Sequence, residues 1–390
     1  MRPWSIFSAC CLLAAAGCFQ QGGSLPSANA VQGSTYSAIP AKVKFKTVYS
    51  FNVSPDGGVP EGNLVAGTGV LYGTTSIGGA ASRGTVFELQ SGKESILHSF
   101  AGKPDGEDPL AGVTELNGQL YGTTWIGGAY NYGTVFVVKA NGKERVLHSF
   151  VRGADGAAPL AGLIVYKGVL YGTTSAGGAT DLGTVFKIKT DGSESVLYNF
   201  KGGTDGSNPS APLTELNGSF YGTTAAGGSS NKGTVFVIKT DGTEKVLYSF
   251  KGGKTDGSAP FSGLTVLKGA LYGTTSKGGA HRLGTIFTVG TTGKERVLYQ
   301  FKLSTGADPI SSLIAVKGIL YGTAAHGGPV QAGTVFALHP SGTLQVLHTF
   351  TGGTDGYAPA TGLIPVNGEL LGTARYGGAS NRGDVYAVTP

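Results

Sequence analysis

Cysteine is nearly missing from this 390-residue chain, and its three copies, Cys10, Cys11 and Cys18, all stand before residue 19. Residues 43–390 therefore hold no disulfide of their own, which excludes the cross-linked framework of small secreted folds. Charge is also sparse, at 13% Asp, Glu, Lys and Arg. The formal net charge of +6 is scattered, with no Lys/Arg cluster to track a phosphate backbone, so nucleic acid is not an expected partner. Apolar residues lack helical spacing. The run Ile6 to Ala16 is too short to span a bilayer as a helix.

Glycine is what the chain has in excess, 68 residues of it. Collagen would require Gly at every third position, which is not the pattern here. Disorder would lack apolar and aromatic runs such as Val246-Leu247-Tyr248-Ser249-Phe250. The glycines therefore mark turns, and many of them.

The first 42 residues read as an address. Arg2 and the apolar run suit a signal peptide over residues 1–17. The following Leu13-Ala14-Ala15-Ala16-Gly17-Cys18 resembles a bacterial lipobox, although Ala15 stands where Leu is usual. Cys18 is accordingly the expected lipidation site, with ordinary signal-peptidase cleavage as the alternative. Residues 18–42, rich in Gly, Ser, Gln, Ala and Pro, suit a flexible tether. The expected location is an outer-membrane or cell-surface lipoprotein, otherwise a periplasmic or secreted protein, with membrane contact through the anchor only.

The remainder repeats. LYGTT stands at 71–75, 120–124, 170–174 and 271–275, FYGTT at 220–224, LYGTA at 320–324 and LLGTA at 370–374. Seven copies near a fifty-residue period suit blades of four short strands. Within one unit, strand a is expected at 110–116, b at 119–124, c at 134–139 and d at 145–150. Asn117-Gly118 is a tight a–b hairpin signal. An orphan d-like segment at residues 45–51 precedes the first unit, and the last unit stops after its c strand. The expected fold is thus all-β: a seven-bladed β-propeller over 43–390, its last blade closed by the N-terminal strand. An open solenoid would have no reason for complementary half-units.

The LYGTT…GG…GTVF unit resembles the choice-of-anchor, GloVer-type bacterial repeat family, which implies a surface location more than a reaction. The Gly-Gly after strand b is also similar to kelch propellers, although the blade Trp of kelch is absent.

Residues present in every blade are read as packing and turn devices. Gly73 and its equivalents are expected to admit a neighbouring backbone, and Gly78-Gly79 and its copies to take positive φ. The Asp-Gly pairs at 56–57, 105–106, 155–156, 205–206, 256–257 and 355–356 are read as turns, with calcium binding as the alternative. His98, His148 and His348 share a slot with Tyr49, Tyr198, Tyr248 and Tyr299, so they are read as half-buried rings. No metal and no cofactor are expected.

Departures from the repeat then carry the function. The b–c loops vary, and Trp125, Tyr130, Tyr132, Tyr376, Arg83, Arg375 and Arg382 fall in blades seven, one and two, consecutive in a closed ring. Aromatic faces stack on sugars, and guanidinium forks grip anions. The expected function is a monomeric binding scaffold for a glycan or another anionic envelope polymer. A protein-interaction platform is one alternative. A polysaccharide lyase or hydrolase is another, with His281, Arg282 and His326 as its candidate catalytic residues.

Overall fold

The repeated Val, Ile, Phe, Tyr and Thr residues fit a pleated surface, and each unit folds as four antiparallel strands. The computed structural model describes residues 43–52, 55–139, 141–339 and 341–390. The signal peptide, Cys18 and the tether predicted from sequence lie outside the described residues. Blade 2 is typical: strand a is Thr114–Leu116, b Gln119–Thr124, c Thr134–Lys139 and d Glu144–Ser149. They pair in that order. Asn117 and Gly118 both take positive φ, as the hairpin signal requires.

Seven such sheets form a ring. Blade 7 takes strands a to c from Ile364–Val366, Glu369–Ala374 and Asp384–Thr389, and its outer strand from Lys44–Ser50. Lys44 pairs with Thr389 and Ser50 with Asp384, so the first strand of the ring completes the last blade.

Strand a is shorter than the sequence suggested, and the reason lies between blades. The first Thr of each LYGTT copy reaches across to the segment preceding the next blade's strand a. Thr74 Oγ1 donates to the Ala111 carbonyl (2.9 Å), Thr123 to Ala161 (3.0 Å) and Thr223 to Ser262 (2.9 Å). Thr373 to Pro60 (3.4 Å) closes the circle. Residues 110–113 thus serve a neighbouring blade before their own sheet begins.

The apolar core also lies between blades. Tyr121, Val135, Val137 and Phe150 of blade 2 pack against Leu163, Leu170, Phe186 and Ile188 of blade 3. The same arrangement joins blades 7 and 1, where Phe51, Leu371, Val385 and Ala387 meet Leu64, Phe87 and Leu89. The Phe that ends each d strand meets the next blade's c-strand ring edge-on, as in Phe150–Phe186 (5.2 Å between centroids, 70° between planes).

That c-strand ring explains the glycine inside strand b. A Cβ at Gly122 would sit 2.5 Å from the Phe136 Cζ of its own blade. The expectation of a neighbouring backbone is corrected: the glycine makes room for an aromatic ring.

Blade 7 carries Tyr386 where the other blades carry Phe. Its hydroxyl is fully buried without a hydrogen-bond partner. Burying an unsatisfied hydroxyl costs about 1–3 kcal/mol. Tyr386→Phe is therefore expected to stabilise the protein by roughly 1 kcal/mol, read as a raised midpoint in urea with an unchanged slope.

Candidate functional site

The b–c loops and the d–a connections meet on one face, held there by a repeated backbone device. In each d–a connection a non-glycine residue at one equivalent position adopts positive φ: Val59, Asp108, Ala158, Asn208, Ala259, Asp308 and Ala358. Its amide bonds to the b–c loop of one blade and its carbonyl to the loop of the next. Asp108 N donates to the Arg83 carbonyl (3.0 Å), while Trp125 N donates to the Asp108 carbonyl (3.0 Å). Val59 joins Arg382 to Ser76 in the same way, at 2.7 and 3.1 Å. The loops of blades 7, 1 and 2 are therefore consecutive on this face.

The arc is more internally paired than the sequence suggested. Arg83 bonds Glu107, and Arg375 lies 3.2 Å from Glu61 across the junction of blades 7 and 1. Tyr376 stacks on Tyr357 at 5.0 Å. Tyr132 is drawn into the core between blades 2 and 3 and lies beneath the Arg152 guanidinium, 5.7 Å from its ring centroid. Arg152 also forks onto Asp181, which holds that carboxyl below its usual range. Tyr130 stands out at 59% exposure, Trp125 is half-buried, and Arg382 has no ion pair among the described residues. Trp125 and Arg375 occupy a slot that is Ser or Ala in the other five blades.

His281 and Arg282 are exposed in the blade 5 loop. His326, in the blade 6 loop, has its Nδ1 3.2 Å from Asp308 Oδ2. Among the described residues no hydrogen bond or ion pair joins it to the other two.

A second group of side chains lines the seams between outer strands. Each Asp of the Asp-Gly pairs accepts the amide of the following Gly or of the residue just past strand d, in most seams both. It also bonds the Tyr or His of that strand: Tyr49–Asp56 at 2.8 Å, His98–Asp105 at 3.1 Å, Tyr248–Asp256 at 2.9 Å. The Tyr/His interchange thus keeps a donor to the turn carboxylate. From the next blade a Glu faces the same Asp: Glu94, Glu144, Glu194, Glu244 and Glu295 each have a buried Oε1 without a partner. Burial first, then the adjacent Asp, pushes each of these five carboxyls up to about 7. Where Thr305 replaces the Asp, Leu344 replaces the Glu. Where Phe45 replaces the Glu, it stacks on His348 at 3.7 Å.

The sequence profile of the Gloeobacter/Verrucomicrobia repeat matches residues 14–218 and 168–386. The chain belongs to this repeat family. No curated protein matches it in sequence. Among solved structures, this Gloeobacter/Verrucomicrobia repeat protein is similar to a Bacteroides uniformis protein provisionally assigned as a 6-phosphogluconolactonase. That match has 16% identity and a TM-score of 0.54, over 80% of this chain and 89% of that one. It is also similar to PorZ, a bacterial surface component of the type-IX secretion system of Porphyromonas gingivalis, at 13% identity and a TM-score of 0.51. That match covers 84% of this chain, which spans 46% of PorZ. At these identities the likeness is one of fold.

The partners Glu107, Glu61, Tyr357 and Arg152 were missed from sequence. All four are departures from the repeat in the d–a connections, the segments that the search of b–c loops passed over.

Proposed function

We propose that this chain is an exported, surface-anchored binding scaffold whose b–c face takes a glycan across blades 7, 1 and 2. The observation that carries the reading is the enlargement of one slot: Trp125 and Arg375 stand where five blades have Ser or Ala. Tyr130 and the stacked Tyr357 and Tyr376 add aromatic surface nearby. Internal ion pairs occupy Arg83 and Arg375, which favours stacking on sugar rings over a clamp for a dense polyanion. The bacterial repeat family and the surface role of PorZ support the location, and the lipobox-like Leu13 to Cys18 supports the anchor.

Trp125 is the reporter, with Trp125→Phe as the control for the remaining tryptophan, Trp4. A bound polysaccharide is expected to shift the Trp125 emission saturably, and Tyr130→Ala to weaken that response several-fold. Stacking of this kind is worth about 1 kcal/mol per ring. Neutral and acidic bacterial polysaccharides serve as probes. If neither changes the difference between wild type and Trp125→Phe, the glycan reading fails.

A further inference from the structure

We propose that His98, Asp105 and Glu144 form a binding site for one divalent cation of the zinc type at the junction of blades 1 and 2. His98 Nε2, Asp105 Oδ2 and a carboxylate oxygen of Glu144 lie within 4.8 Å of one another, the one such set among the described residues. They come from three segments: the outer strand of blade 1, Lys93–Ser99, the turn after it, and the outer strand of blade 2.

The donor set suits the ion. One imidazole and two carboxylates match zinc in ligand type, and their charges neutralise a divalent cation. Tetrahedral zinc ligands at ~2.1 Å lie about 3.5 Å from each other, so closure asks for roughly 1 Å of side-chain movement. Two of the ligands are already oriented. Asp105 is fixed by the amides of Ala101 (2.9 Å) and Gly106 (2.6 Å), and the His98 ring packs edge-on against Phe100 at 4.8 Å. Glu144 Oε1 is buried with no partner, a cost that coordination would remove. His98 and Asp105 side chains keep 19% and 17% exposure, enough for entry and for a water as fourth ligand.

The other seams show what sets this one apart. Tyr49, Tyr198 and Tyr248 place a phenol where zinc would need an imidazole. His348 faces Phe45, and Tyr299 faces Thr305 and Leu344, so a carboxylate is lost in both. His148, Asp155 and Glu194 repeat the residue types but do not draw together to the same degree.

The repeat itself supplies variants compatible with the fold. His98→Tyr copies the Tyr seams, and Glu144→Leu copies Leu344. Zinc chloride is titrated into the purified chain, stripped beforehand with a chelator, near neutral pH. Calorimetry is expected to show one ion per chain. Each variant should weaken that binding by about tenfold or more, while its melting in chelator stays cooperative and His148→Tyr binds as wild type does. Three results would overturn the site: no saturable binding by the wild type, binding untouched by His98→Tyr, or binding lost in His148→Tyr.

Discussion

Replacing residues 44–50 with a glycine–serine segment of equal length is expected to abolish the cooperative melting of the ring. This strand makes the whole outer ladder of blade 7, from Lys44–Thr389 to Ser50–Asp384. Its Phe45 ring lies 3.7 Å from His348, 5.8 Å from Phe350 and 5.7 Å from Tyr386, so one side chain ties blade 6 to blade 7. Ser50 Oγ donates to the buried Asp384 carboxylate at 2.5 Å, a group that loses its partner when the strand goes. A fully buried aromatic ring is worth about 3–5 kcal/mol, and the replacement removes two half-buried ones, Phe45 and Tyr49. Adding a lost strand ladder approaches the 5–15 kcal/mol that holds an ordinary domain folded. Circular dichroism during a thermal scan is the measurement. A transition of unchanged midpoint and sharpness would mean that the ring does not depend on its N-terminal strand.

The same strand shows what could be read without coordinates. Closure was legible because it is arithmetic: a d-like segment stands before the first unit and one is missing from the last, and no side-chain geometry is needed to match them. The hairpin at Asn117-Gly118 was legible because positive φ at two consecutive residues restricts the residue types strongly. The role of Gly122 was harder to read. A glycine in a strand announces a close approach but not its agent, and the Phe136 ring that fills the space lies fourteen residues downstream in the same blade.

The candidate site was legible in place and not in pairing. That blades 7, 1 and 2 adjoin follows from closure. That Arg83 is spent on Glu107, and Arg375 on Glu61, depends on d–a connections whose path over the face is set by the left-handed residues Asp108 and Val59. Asp and Val at such positions give no glycine-like signal, and for Val the conformation is strained. The seam carboxylates were hidden for a related reason. Glu244 and Asp205 are thirty-nine residues apart, and only the stacking of blade 5's predecessors in register brings an outer strand against the preceding turn. The one sequence trace was joint loss, Thr305 for Asp together with Leu344 for Glu.

Those carboxylates make stability depend on pH with an unusual sign. Glu94, Glu194, Glu244 and Glu295 titrate near 7 in the folded protein against 4.5 in the unfolded chain, so the folded state holds their protons more tightly. A raised carboxyl contributes stability in full below 4.5, and that contribution is lost as pH climbs to about 7. The facing groups are Asp56, Asp155, Asp205 with Lys201 and Tyr198, and Asp256 with Lys251 and Tyr248. The lysines offset only part of the repulsion. Asp384, pushed up to about 6 by burial, acts in the same direction. His348, lowered by burial, acts oppositely and loses stability as pH falls below 6.5, but it is a single group. Partial exposure screens each seam, so about 1 kcal/mol per Glu is expected. The protein should therefore unfold at lower urea from pH 5 to pH 8, where most proteins are near their optimum. The triple variant Glu194→Gln, Glu244→Gln, Glu295→Gln cannot ionise at three seams and should flatten that slope. A midpoint that rises between pH 5 and pH 8, or a slope untouched in the variant, would show that burial does not raise the seam Glu carboxyls.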